Sequence, residues 1–338
     1  MPRSSQSADR LSGPSRKIIG LGIFVVLAVI GYTLLWFYLA DQLRGRVEAF
    51  LAGLEGRDIV ASCEALDVRG YPFRIGVFCD SVSAETLAGE PVSFASAAFR
   101  SAAQVYAPGH IVSEIDGPVT VGLSEGEPVL ADWTSLQAST VFSTAGLNRA
   151  SLETRDLNAS WEAGIGPVAI NAASLAFHTR ENGPDAEIAL SADDARFEGA
   201  ALPAGLPLFD LTGAARLTDG AGFLAGETLS REALRGRRGH LTDAAVTLED
   251  GAALRLNGPF EIADDGEISG EFDVSIRDLE RWTATAGDLV PQLRSTLESA
   301  GGMLRALGGS DGVIDVTLNV DGGRVSLGFI PLGRIPPI

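Results

Sequence analysis

Few residues in this chain could do chemistry, and their spacing points away from catalysis. Gly122-Leu123-Ser124-Glu125-Gly126 has the G-x-S-x-G spacing of a hydrolase nucleophile elbow. An elbow needs a strand before its serine and a helix after it. Here Glu127-Pro128 and another alternating apolar run follow, so Ser124 reads as part of a hairpin turn. Asp193-Asp194 and Asp264-Asp265 are paired carboxylates, but both sit in turn-like context and read as solvated acids. His110, His178 and His240 are scattered and do not supply a metal site. Zincin, P-loop, dinucleotide and calcium-loop patterns are all missing. No catalytic, cofactor-binding or metal-ligating residue is therefore expected, no cofactor is called for, and the chain is read as a non-enzyme.

Two residue sets remain. Cys63 and Cys79 are the only cysteines, and an even pair outside the cytosol suggests a disulfide. Residues 59–68 and 73–82 read as strands around Gly70-Tyr71-Pro72. A hairpin centred on Tyr71 sets Asp67 opposite Ile75, Ala65 opposite Val77 and Cys63 opposite Cys79, close enough to bridge. Two buried free thiols are the alternative. The second set is Arg231, Arg235, Arg237 and Arg238, on a short helix expected over 228–239. It reads either as a solvated helix face or as a docking site for an acidic partner or a lipid phosphate.

These residues must be placed by the elements around them, and the first element decides the compartment. Ile18 to Ala40 holds 23 consecutive positions without a charged side chain. As a helix the run reaches about 34 Å, enough to cross a bilayer core. Residues 1–40 carry four basic side chains and one acidic one, all ahead of the run, and basic flanks stay in the cytoplasm. The run exceeds the h-region of a cleaved signal and ends in Leu35-Trp36-Phe37-Tyr38, an aromatic set suited to a membrane interface. An uncleaved anchor is expected, with cleavage near Ala40 as the alternative. Residues 1–17 are then a cytoplasmic tail, 18–40 the membrane span and 41–338 the portion beyond it.

That portion carries 22 basic against 43 acidic side chains. Such a surface repels nucleic acid, and no nucleic-acid partner is expected. Lys17 is the only lysine, so Schiff-base and P-loop chemistry are excluded beyond the membrane. Residues 41–56 form an amphipathic helix, with Leu43, Val47, Phe50, Leu51 and Leu54 at helical spacing and Gly56 at its end. An extended membrane helix is the alternative.

Residues 57–338 read as one β-rich body, with a sub-boundary possible near 225–240. Val119/Val121/Leu123, Val168/Ile170, Leu175/Phe177 and Ile188/Leu190 alternate as short strands with one buried face. Asp-Gly pairs at 219, 250, 265, 311 and 321 suit tight hairpins, and the absence of helical crossovers makes the pairing antiparallel. Glycines at 70, 117, 166, 213 and 258 suggest a faint repeat. Residues 278–307 read as two helices with a break, Asp288 capping the second. Strands over 313–320 and 324–330 and a tail close the chain. The fold class is mainly β with helices: one transmembrane helix, then curved antiparallel sheet with an N-terminal helix and a C-terminal helical insertion.

Several of these features together resemble a known family: the anchor, Cys63…Gly70-Tyr71-Pro72-Phe73-Arg74…Cys79, Trp133, and the ending Asp321-Gly322-Gly323-Arg324-Val325-Ser326-Leu327-Gly328…Pro331-Leu332-Gly333…Pro336-Pro337. The chain resembles the domain-of-unknown-function family numbered 2125, of Gram-negative alphaproteobacteria. That resemblance implies an inner-membrane anchor, a periplasmic body and no assigned activity or site residues. More weakly, Gly258 to Leu279 and the closing strand are similar to AsmA-like proteins, which are anchored once and build long curved sheets with an apolar interior implicated in lipid handling. A body of about 300 residues is too short to bridge a periplasm alone. The expected function is a membrane-anchored envelope protein whose sheet binds a lipid or another amphiphile in an apolar groove. The alternatives are a scaffold for other envelope proteins and, remotely, a hydrolase using Ser124.

Overall fold

A computed structural model describes residues 16–89, 91–123, 126–164, 166–200, 202–203, 206–289, 301–302, 312–328 and 330–338. Helix α1 runs unbroken over Arg16–Glu55, so the apolar span and the amphipathic segment are one helix of 40 residues. This is the extended-helix alternative. No Pro interrupts the chain between Ala40 and Gly56. The helix is long and apolar enough to cross a membrane.

The body is one antiparallel meander, with 56% of the described residues in strands. Its first part contains β1 (Ile59–Glu64), β2 (Asp67–Arg69), β3 (Arg74–Cys79), β4 (Ser81–Thr86), β5 (Ser93–Ser96), β6 (Phe99–Gln104), β7 (Ala107–Ile115), β8 (Val119–Gly122), β9 (Val129–Asp132) and β10 (Ser135–Ser143). Longer strands follow: β11 (Gly146–Ala163), β12 (Gly166–Asn182), β13 (Asp185–Gly199) and β14 (Phe209–Leu217). After them come α2 (Ala221–Ala225), α3 (Arg231–Leu234), β15 (Arg238–Leu248), β16 (Ala253–Ile262), β17 (Ile268–Arg277) and α4 (Leu279–Leu289). Strands β18 (Val313–Asp321), β19 (Arg324–Leu327) and β20 (Ile330–Arg334) end the sheet.

Early in the chain each pass of the meander is broken into two strands. β1 and β2 pair with β4 and β3, which pair onward with β5 and β6, and so on until β9 and β10 both pair with β11. The breaks line up into a crease, stitched by Asp80 N–H to the Glu64 carbonyl at 2.9 Å and Asp116 N–H to the Ala98 carbonyl at 2.8 Å. Ala65 (φ 52°) is left-handed in the first break, and the crease continues through unbroken strands at left-handed Asp156 (φ 53°), Asp194 (φ 48°) and Asp243 (φ 47°). Asp tolerates this conformation better than most residues. A bulge there slips the side-chain alternation by one, so a strand can bend and keep its apolar side chains on one face. In β12, Val168 and Ile170 lie on one side of the slip and Leu175 and Phe177 on the other.

Several sequence-based expectations are corrected by this geometry. The paired short strands expected at 168–170 and 175–177 are one strand, because the phase slip mimics a strand boundary. Asp193-Asp194 lies at a bulge inside β13 rather than in a turn. The first hairpin does not centre on Tyr71: Asp67 faces Phe78, Arg69 faces Gly76, and Cys63 faces Val82. The helix expected over 228–239 is only Arg231–Leu234, capped by the Ser230 hydroxyl and ended by extended Arg235. Arg238 belongs to β15. The glycines of the suggested repeat occupy unlike places, Gly70 beside a turn and Gly166, Gly213 and Gly258 within strands. The closing tail contributes β20. Asp278 caps α4, its Oδ1 accepting from Arg281 N–H at 3.0 Å, and Asp288 lies in the last turn of α4 as described. The second expected helix lies mostly outside the described residues.

Candidate functional site

The sheet has two chemically distinct faces. Opposed residues on neighbouring strands point to the same side. One line of opposed residues runs Cys79, Phe99, Ile115, Leu136, Thr154, Leu175, Ala192, Leu211, Val246, Leu254, Ile276 and Ile314. It crosses twelve strands, about 53 Å at the spacing of hydrogen-bonded strands. Every member is apolar except Thr154, which is 4% exposed and whose Oγ1 has no hydrogen-bond partner.

This face is incompletely covered. Ala172, Ala192 and Ala195 pack with Leu157, Phe209 and Leu211 at the crease. Helix α2 covers one end, with Gly220 against Ala186 and with Leu224 and Ala225 against Gly146. Between these, Phe177 is 36% and Leu190 40% exposed, and Ile188 is similarly open. No large side chain is fully buried among the described residues.

The opposite face is polar and forms a cleft of about 990 Å³. All three histidines of the chain border it, together with Arg149, Arg180, Arg216, Glu153 and Glu187. His178 lies midway, three strands from His110 on β7 and three from His240 on β15. Small residues, Ser151, Ala189 and Ala214, share the row of His178 and leave the cleft open above them. Glu187 accepts from Asn182 at 2.7 Å, Arg180 at 2.6 Å and Arg216 at 2.8 Å. These bonds, Asn182 and Arg180 foremost, pull its carboxyl down from 4.5 to about 2. Among the described residues no group of His, Cys, Asp and Glu is arranged to hold a metal ion. Sequence spacing had left the histidines scattered. Only the strand register, which no local motif reveals, brings them to one cleft.

The arginines at 231–238 do not form one patch. Arg235 donates to the Ile338 carbonyl at 3.1 Å, and Arg237 to the Asp219 carbonyl at 2.6 Å. Arg237 also lies over the Phe223 ring, and Arg238 pairs with Glu261 at 3.3 Å. These three tie the α2–α3 connection to the C-terminus and to β16. Arg231 sits in the first turn of α3 with no ion pair among the described residues. Ser124 lies outside the described residues, but β8 and β9 on either side of it pair with each other and leave no helix for an elbow.

Cys63 and Cys79 are disulfide-bonded, with Cα atoms 5.2 Å apart. The bond spans the crease from β1 to the end of β3 rather than joining directly opposed residues. It is the expected pairing in an unexpected register. Next to it, the first hairpin docks on α1. Trp36, 4% exposed, donates from Nε1 to the Arg74 carbonyl at 2.9 Å. The Tyr32 hydroxyl donates to the Pro72 carbonyl, and Thr33 Oγ1 and the Tyr71 hydroxyl bond at 2.8 Å. The Tyr71 ring packs edge-on to Trp36 and stacked on Phe37. Arg44 pairs with Asp67 at 3.0 Å further along the helix. The Gly-Tyr-Pro-Phe-Arg hairpin thus clamps the sheet to α1.

A family model described as "Uncharacterized protein conserved in bacteria (DUF2125)" matches residues 36–336. The chain belongs to this family. The DUF2125 match begins at Trp36, the residue that holds the first hairpin, and runs to within two residues of the C-terminus. No curated protein and no solved structure matches the chain.

Proposed function

We propose that this DUF2125 member is a non-enzymatic envelope protein whose apolar sheet face binds the hydrocarbon part of a lipid or another amphiphile. Its N-terminus lies in the cytoplasm, α1 spans the inner membrane, and the sheet stands in the periplasm. The observation that carries the reading is the apolar line across twelve strands, with Phe177, Ile188 and Leu190 left a third or more open beside it. Leaving those three side chains wet is costly, at roughly 25 cal/mol for each Å² of apolar surface. An acyl chain laid on them would recover that cost without the directional contacts a catalytic site needs. The basic residues ahead of the apolar run and the Cys63–Cys79 disulfide both suit a body on the oxidising side of the membrane.

Opposite faces of one strand supply the test. A photo-crosslinking amino acid is placed at Phe177, on the apolar face, and in a second variant at the adjacent His178, on the polar face. After irradiation in cells, lipid adducts on the purified full chain are identified by mass spectrometry. Adducts at 177 and not at 178 support the reading. No adduct at 177, or equal yields at both, overturns it.

A further inference from the structure

The docking of the first hairpin on α1 has a consequence for where the sheet meets the bilayer. Crossing a hydrocarbon core of about 30 Å takes roughly 20 helical residues. Counted from Ile18, just past the charges of Arg16 and Lys17, the core then ends near Phe37. Yet the hairpin is held at Tyr32, Thr33 and Trp36, by the three hydrogen bonds from these side chains to Pro72, Tyr71 and Arg74. Tyr32 lies five residues before Phe37, about 7.5 Å deeper at the rise of an α-helix. A hairpin tip fastened there cannot stand clear of the membrane if α1 spans it.

The side chains at that tip fit such a position. Phe73 is 69% exposed, a large apolar ring mostly in water if no membrane meets it. The next tip on the same sheet edge lies alongside, joined by Val105 N–H donating to the Phe73 carbonyl at 3.0 Å. It presents Tyr106, at 76% the most exposed aromatic side chain among the described residues, with Phe73 second. Arg74 is exposed beside Phe73, with no ion pair among the described residues. Aromatic rings at the headgroup boundary with a cation next to them form the usual interfacial anchor.

We propose that the tips of these two hairpins, Tyr71–Phe73 and Tyr106, insert into the outer interface of the membrane that α1 crosses. The partner is the lipid bilayer itself, at the boundary between headgroup and hydrocarbon. The inference rests on α1 as a membrane span, but not on an acyl chain bound to the sheet. It fixes the orientation of the body: the sheet edge bearing these tips faces the bilayer, and the edge bearing the β4–β5 connection at Leu87 faces away.

Spin labels at single added cysteines test it, in the full chain with its disulfide formed, reconstituted in nanodiscs of phosphatidylglycerol and phosphatidylcholine. The sites are Phe73→Cys, Tyr106→Cys, Leu87→Cys at the far edge and Phe24→Cys within α1. Power saturation compares collisions with oxygen, which enriches in lipid, against a water-soluble nickel chelate. Greater access to oxygen than to nickel at 73, 106 and 24, and the reverse at 87, supports insertion. Lipid exposure at 24 with water exposure at 73 and 106 overturns insertion while leaving the anchor intact. Water exposure at 24 removes the anchor and the insertion together.

Discussion

Thr154 offers the most direct energetic probe of the apolar face. It stands in the line of apolar residues between Leu136 and Leu175, and its hydroxyl is buried without a partner. A buried hydroxyl left unsatisfied costs about 1–3 kcal/mol. Valine has nearly the same shape, keeps the β-branching that suits a strand, and removes the stranded donor. Thr154→Val should therefore stabilise the fold by about 1–2 kcal/mol, taking the lower part of that range because relaxation recovers some of the cost. For a domain of this size that corresponds to a rise in Tm of roughly 2–6 °C. Thr154→Ser keeps the hydroxyl and loses the packed methyl, so it should move the other way by about 1 kcal/mol. Urea unfolding of the detergent-solubilised chain measures both, with the midpoint shifting at constant slope. A valine variant equal to or weaker than the parent would show that the hydroxyl is bonded, and that this line is not the dry, apolar surface described here.

Other perturbations have equally definite outcomes. The disulfide closes a segment with a sequence separation of 16, so Cys63→Ser/Cys79→Ser should cost about 3 kcal/mol; reductant should lower the stability of the parent and leave the double variant unchanged. Glu187 titrates near 2 when folded and 4.5 ordinarily. Its contribution is therefore complete above pH 4.5 and lost as pH falls towards 2; Glu187→Gln should flatten the pH–stability profile across that window, and an unaltered profile would refute the ion-pair network. At Gly258 an added Cβ would lie 2.3 Å from the Glu271 carbonyl oxygen and 2.9 Å from Phe272 Cα, both backbone. Gly258→Ala should cost more than about 2 kcal/mol in the same unfolding assay, because β16 and β17 would have to part at the crease.

How much of this was legible in the sequence depended on the range of the signal. The apolar run of α1, the antiparallel hairpins and the cysteine pair are carried by neighbouring residues, and local pattern is enough to read them. The Asp-Gly turns at 250, 265 and 321 fall between paired strands as expected, while Asp219-Gly220 leads into α2 instead. Long-range register was not legible. Nothing local distinguishes the slip at Ala173, between Ile170 and Leu175, from the end of a strand, so β12 reads as two pieces. The same blindness hid the line from Cys79 to Ile314 and the gathering of His110, His178 and His240 on one cleft. It also misplaced the arginines: their density along 231–238 suggested a patch, whereas Arg235, Arg237 and Arg238 each turn to a different internal partner. The role of Gly-Tyr-Pro-Phe-Arg as a clamp on α1 could be found only once Trp36 and Arg74 were seen side by side.

Native mass spectrometry of the full chain, released from a mild detergent after purification from its own membranes, tests the proposed role of the open apolar face most directly. The parent should carry acyl-chain lipid mass that persists when loosely bound detergent is stripped, and Leu190→Asp, with unchanged circular dichroism, should lose it. A parent that emerges at its bare polypeptide mass, or a variant that retains the same adducts, would contradict lipid binding on this sheet.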